Sequence, residues 1–249
     1  MCLSDFETAK AKALKRLHDK QGIGTLGERS LHLILKYYID PDESHHEKPV
    51  GVGRIIADIF DGERITEIQT RDFNTLRPKL EKLLPEFPVT IVYPIARIKR
   101  IIWVDPITGE ATKPRKSPKT GTAWGAFKEL YKIKGYLSDK NLKIKLVFLD
   151  IDEYRLKDGW AKGGKKGSHR MERIPLSFID EIELFKPEDY SSLLPPGLPG
   201  EFTSIDLAKH IKTAKPYAST ICNILYTTGA IIRIGKSGNA YIYKKARGN

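Results

Sequence analysis

Over residues 4–20 the apolar side chains Phe6, Ala9, Ala13, Leu14 and Leu17 recur every three or four positions. That is the period of an amphipathic helix, here with a basic outer face. Gly22 and Gly24 mark its end. Residues 26–38 predict a second helix with Leu31, Leu33, Ile34 and Leu35 on its apolar side, closed by Asp40-Pro41. The period then changes. Residues 50–60 and 64–70 read as strands flanking Asp61-Gly62-Glu63, whose Asp-Gly pair suits a tight hairpin. Residues 73–84 predict a helix stopped by Pro85, and residues 89–93 a buried strand ended by Pro94. The order helix, hairpin, helix, strand predicts an α/β core on a small mixed sheet flanked by helices.

Residues 97–104 predict another strand, turned by residues 105–109 into a basic, proline-containing loop at 113–119. A helix is expected at 127–137 and a hydrophobic strand at 144–149, followed by the acidic group Asp150, Asp152 and Glu153 and a second basic loop over 157–173. Residues 191–200, SSLLPPGLPG, have the composition of a linker. The expected organisation is therefore a domain over 1–190, a linker over 191–200 and a second domain over 201–249.

In the second domain, Thr203 or Ser204 can cap a helix over 205–211, with Asp206 placed to close a capping box. Pro216 suits the first turn of a helix reaching Thr227 or Thr228, and Gly229 its end. Strands at 230–234 and 240–244 bracket a Gly-Lys-Ser-Gly-Asn turn. Helix, turn, helix and basic hairpin resemble a winged helix-turn-helix over residues 202–246. The resemblance implies that the helix beginning at Pro216 enters the major groove, presenting Tyr217, Thr220 and Asn223, while Lys215 and Lys236 touch backbone.

Charge narrows the class of partner. Lys and Arg number 43 against 31 Asp and Glu, a formal net charge of +12, which favours polyanions. Cys2 and Cys222 lie too far apart in sequence and context to suggest a disulfide framework or a zinc ligand set. The first residues lack the apolar stretch of a secretory signal and no apolar run approaches membrane-helix length, so a cytoplasmic protein with no membrane partner is expected.

The candidate chemistry lies in the hairpin. Glu67 and Gln69 are alternate residues of one strand and share a face, and a tight turn brings Asp58 alongside them. Two carboxylates facing one small volume suit a hard divalent cation, magnesium or manganese, and Asp58 sits in an apolar run where an unpaired charge is costly. The text ADIFDGERITEIQT resembles the PD-(D/E)xK nuclease superfamily over residues 26–95. The resemblance implies a restriction-endonuclease-like core in which Asp58 and Glu67 ligate the metal, Gln69 replaces the motif lysine and orients a water, and Glu28 is an accessory acidic residue.

His45, His46 and Glu47 read as a polar surface loop, and Asp150, Asp152 and Glu153 as solvated acids. Lys116, Lys119, Lys165, Lys166 and Arg170 of the basic loops are placed to contact phosphates, with Tyr154 and Trp160 available to stack on a base. The expected function is a metal-dependent DNA endonuclease in restriction, repair or defence, for which a homodimer is compatible. The alternatives are a non-catalytic DNA-binding regulator on the same scaffold and an RNA-processing factor.

Overall fold

Pairing of hydrophobic strands fixes the frame. A computed structural model of the chain describes residues 3–20, 29–158 and 169–246; Cys2, Glu28, Trp160, Lys165, Lys166 and Arg247 lie outside them. The main sheet contains β1 (His46–Pro49), β2 (Ile56–Phe60), β3 (Ile65–Ile68), β4 (Val89–Val104), β5 (Arg115–Lys116), β6 (Leu142–Leu156) and β7 (Arg170–Leu184). Its order is β1-β2-β3-β4-β6-β7, with β5 joined to β4. β3 runs parallel to β4 and β4 parallel to β6, while the other neighbours are antiparallel. The sheet is mixed, as the sequence order requires.

Helices cover both faces. α1 (Leu3–Lys20) and α2 (Arg29–Ile39) bury Phe6, Ala9, Leu31, Ile34 and Leu35 against Val92, Val147 and Leu149. On the other side a 3-10 turn at Phe73–Leu76, α3 (Arg77–Leu83) and α4 (Phe127–Leu130) set Leu76, Leu80, Leu83, Phe127 and Leu130 against Ile65, Ile91 and Ile144. Among the described residues no helix is long and apolar enough to cross a membrane.

Several elements depart from the sequence reading. The strand expected over 50–60 is confined to β2, because Gly51, Gly53 and Arg54 take positive φ and turn the chain. His46 and Glu47 lie in the edge strand β1 rather than a loop, with Glu47 at φ 53° and its carboxylate 2.9 Å from Lys36 Nζ. Pro94 does not end β4: the β3 partnership stops at Ile68↔Val92, so beyond Val92 that flank is an edge and tolerates a missing donor. β7 was not expected at all. Its run RMERIPLSFIDEIEL is heavily charged, as suits a strand at the end of the sheet.

The C-terminal part follows α5 (Pro187–Ser192) with β8 (Glu201–Thr203), α6 (Ser204–His210), α7 (Lys215–Thr227), β9 (Ile231–Ser237) and β10 (Ala240–Lys245). β8, β10 and β9 form a three-stranded antiparallel sheet in that order. The expected capping box is present: Thr203 Oγ1 accepts from Ile205 N at 3.2 Å and Asp206 Oδ2 accepts from Thr203 N at 2.8 Å.

This part shares its core with the sheet. Ala218, Ile221, Ile224 and Leu225 of α7 belong to the same buried cluster as Phe127 and Leu130, and Leu193, Leu194 and Leu198 of the proline-rich stretch pack against it. That stretch begins inside α5, and its leucines hold it down.

Candidate functional site

The site forms where a ladder opens. β2 and β3 are paired at Phe60↔Ile65 and Ile59↔Thr66, and the next positions along are Asp58 and Glu67. There the strands part, and Asp58 Oδ2 accepts the Ile68 N–H at 2.8 Å in place of a backbone carbonyl. Glu67 lies on the same face of β3 as the core residue Ile65 and is itself buried. Asp58 and Glu67 therefore line one open cavity of about 600 Å³, as the sequence predicted.

Two further groups enter from the helices. His32 on α2 donates from Nε2 to Asp58 Oδ2 at 3.1 Å. Lys79 on α3 places Nζ 2.9 and 2.8 Å from the two oxygens of Glu67 and 3.0 Å from the carbonyl of Ile56. Both line the same cavity. The residues behind them explain the placement: Leu31, Ile34 and Leu35 anchor α2, while Leu76, Leu80 and Leu83 hold the other helix, leaving His32 and Lys79 on the edges that look into the opening.

The electrostatics follow from burial and crowding. Removal from water, reinforced by the Asp58 carboxylate, pushes the Glu67 carboxyl up to about 7 despite the Lys79 ammonium. Burial also acts to raise Asp58, but the hydrogen bonds and charge of His32 and the Ile68 N–H outweigh it and hold this carboxyl below its ordinary value. Two carboxylates compete for one volume, with the Lys79 ammonium on one side and the His32 ring on the other.

Gln69 also lines the cavity, but its amide is used elsewhere. Nε2 donates to Asp72 O and Thr75 Oγ1, each at 3.0 Å, and to Arg71 O. This fastens the turn leading into the 3-10 segment and commits the amide nitrogen. Of the amide, the oxygen is what is left for the expected role of orienting a water. Glu28 lies outside the described residues.

The donor set bears on a divalent cation. Among the described residues no group of three or more His, Cys, Asp and Glu is arranged to hold an ion by itself. Asp58 and Glu67 offer hard oxygen donors, and the burial and carboxylate repulsion that together raise Glu67 are what a divalent cation relieves. Magnesium keeps several waters and takes one or two carboxylates, so a pair is the usual protein contribution.

The predicted nucleic-acid residues divide by environment. Lys116 on β5, Lys119, Lys215 at the start of α7 and Lys236 on β9 are exposed, with Lys236 Nζ 4.9 Å from the Tyr241 ring. Arg170 lies 3.4 Å from Glu153. Lys165 and Lys166 lie outside the described residues. Thr220 Oγ1 donates back to Pro216 O at 3.2 Å. Tyr217 is corrected: it donates to the Trp124 carbonyl and packs against the core, which takes it from base contact. Asn223 Oδ1 accepts from Lys134 Nζ at 3.2 Å, and the residue lines an open cleft with Lys215, Ser219 and Arg233. The acidic group beyond residue 149 is also internal to the protein: Arg100 grips Asp152 at 2.6 and 2.8 Å, and Lys99, Arg155 and Arg170 surround Glu153.

A family described as Domain of unknown function (DUF8091) matches residues 29–185, more than half of the chain. The chain belongs to the DUF8091 family. The matched region begins at α2 and ends just after β7, so it contains His32, Asp58, Glu67 and Lys79 and leaves out the C-terminal sheet. An uncharacterized protein of Treponema pallidum (strain Nichols) is 28% identical over 187 residues, covering 75% of this chain and 74% of that protein. No solved structure matches.

His32 and Lys79 were missed in the sequence. Each is a single polar residue on an amphipathic helix, a pattern that surface positions share. The one usable signal was Gln69, which leaves a motif lacking its cation and invites a search for a lysine on the next helix.

Proposed function

We propose that this DUF8091 protein is a metal-dependent nuclease that hydrolyses phosphodiester bonds in DNA, with its site at Asp58, Glu67, His32 and Lys79. The observation that carries the reading is the convergence of Lys79 with the buried Glu67 and the partly buried Asp58 carboxylates in one open cavity. The order α2, β1 to β3, α3, β4, with β3 parallel to β4, supports the resemblance to the PD-(D/E)xK core. On this reading Lys79, delivered by α3, supplies the cation that Gln69 cannot.

Asp58 and Glu67 would hold a magnesium or manganese ion, which supplies charge neutralisation at the phosphate and a more acidic bound water. The chain's own groups do the rest. His32 keeps Asp58 ionised and oriented through its 3.1 Å hydrogen bond. Lys79, once Glu67 has another partner, has ammonium donors free for a phosphoryl oxygen or an attacking water. Lys215 and Lys236 add sequence-independent attraction to a phosphate backbone. The element order α5, β8, α6, α7, β9, β10 supports a winged-helix reading of the C-terminal part.

The test is magnesium- or manganese-dependent cleavage of plasmid and short duplex and single-stranded DNA by the wild type, Asp58→Ala and Glu67→Ala, matched for folded concentration. Cleavage lost in both variants with binding retained is the expected result. Binding without cleavage in the wild type would replace the nuclease with a DNA-binding regulator, and selective cleavage of RNA would replace the substrate.

A further inference from the structure

A second cleft of about 600 Å³ lies away from Asp58, between the outer half of β4 and β5, lined by Ile101, Trp103, Arg115, Lys116, Ser117 and Thr120. We infer that this cleft binds a single strand of nucleic acid, stacking a base on Trp103 while Arg115 and Lys116 take its phosphates. The inference deepens the nuclease reading by naming the form in which substrate is held, and rests on that reading only for the use made of the strand.

The pairing of charges is the first argument. Lys99, Arg100, Arg155 and Arg170 on the same extension of the sheet are each neutralised by Asp152 or Glu153. Arg115 and Lys116 are exposed and have no acidic partner among the described residues. Lys116 stands opposite Arg100 in the β4–β5 ladder, an arrangement of like charges that costs stability. Arg100 is already held by Asp152, so Lys116 is the uncompensated member. Cations kept in that state beside a cleft suit an anionic ligand.

The second argument is the aromatic wall. Trp103 is half-buried and its backbone is held on both sides: the backbone N–H donates to Thr112 Oγ1 at 3.0 Å and the carbonyl accepts from Thr112 N at 2.8 Å. Ser117 N donates to Lys99 O at 2.7 Å, holding the opposite lip. An indole on a held stretch of backbone, lining one cleft with guanidinium, ammonium and two hydroxyl groups, offers stacking, phosphate contacts and hydrogen bonds together. Bases in a duplex already stack on one another and present no free face, so the single strand is the favoured form. The cleft falls within the volume range of ligand pockets. DNA and RNA single strands share this chemistry.

The test is fluorescence anisotropy with labelled dT15, rU15 and a 15-base-pair duplex, using the full chain in EDTA so that no cleavage intervenes. Tighter binding of either single strand than of duplex is expected, and the better of the two identifies the sugar. Trp103→Ala should weaken it about five- to hundredfold, while Trp103→Phe keeps most of the affinity. Arg115→Gln with Lys116→Gln, both on the surface, should lower the slope of log affinity against log salt by about 1.4. Binding is read in EDTA, without turnover, so cleavage can fail while this inference stands. Wild-type affinity in Trp103→Ala and the double variant, a preference for duplex, or equal displacement by a polyglutamate peptide would each overturn it.

Discussion

Lys79 Nζ stands 2.9 and 2.8 Å from the two carboxylate oxygens of Glu67, so the cation that serves this carboxylate comes from a helix and not from its own strand. Gln69, two residues along from Glu67, is spent on the turn to Thr75. Lys79→Met is therefore expected to lower cleavage by about 10²–10³-fold, while Gln69→Ala changes it less than about tenfold. Single-turnover rates at saturating metal compare them; the reverse order would return the motif role to position 69.

His32 acts on Asp58 and, on this reading, through it on the metal. Its replacement by Ala removes a charge-assisted hydrogen bond to the carboxylate. The metal concentration needed for half-maximal cleavage should rise about 10- to 100-fold with little change in thermal stability. An unchanged metal requirement would assign His32 to packing.

Glu172 is a buried carboxyl on β7 whose Oε1 accepts from Ser30 N at 3.3 Å and whose Oε2 has no hydrogen-bond partner among the described residues. Burial pushes it up to about 7. A carboxyl raised in the folded state binds its proton more tightly there than in the unfolded chain, so its contribution is complete below about 4.5 and is lost as pH rises through about 7. Denaturant unfolding should show stability falling across that window, and Glu172→Gln should flatten the fall by an amount on the order of 2–3 kcal/mol. Glu67 titrates in the same window, so the flattening is partial.

Gly121 lies against the backbone of β4: a Cβ there would meet the Ala96 carbonyl oxygen at 2.2 Å and Ile95 Cγ2 at 2.8 Å. Its N–H also donates to Ala96 O at 3.1 Å. Gly121→Ala must move backbone, with an expected loss of about 1–3 kcal/mol or more in chemical denaturation. Gly125→Ala, with open space around it, is the control and should lose far less.

Ile221 is fully buried in the cluster that also contains Phe127 and Leu130. Ile221→Ala should cost about 2–5 kcal/mol and shift one cooperative transition, followed both by tryptophan fluorescence and by far-UV circular dichroism. Two separated transitions would show that the C-terminal part unfolds independently of the sheet.

Periodicity made α1, the 73–84 helical region, the buried starts of β4 and β6, and the capped helix α6 legible, because local spacing alone decides which face is apolar. Asp58 and Glu67 could be paired for the same reason: a short hairpin sets their register. Residues 29–185 fall in one family, yet nothing local in them announces β7, whose charges are tolerable only at a sheet end, or the passage of β4 through Pro94, which depends on where β3 stops. The tertiary structure alone decided that His32 and Lys79 meet the two carboxylates, that Gln69 ties down a turn, and that Tyr217 and Asn223 of α7 reach Trp124 and Lys134. Those relations join residues 26, 12, 93 and 89 positions apart or replace an expected partner by a nearer one. Side-chain periodicity reports which way a residue points on its own element, whereas a site is fixed by how separate elements pack together.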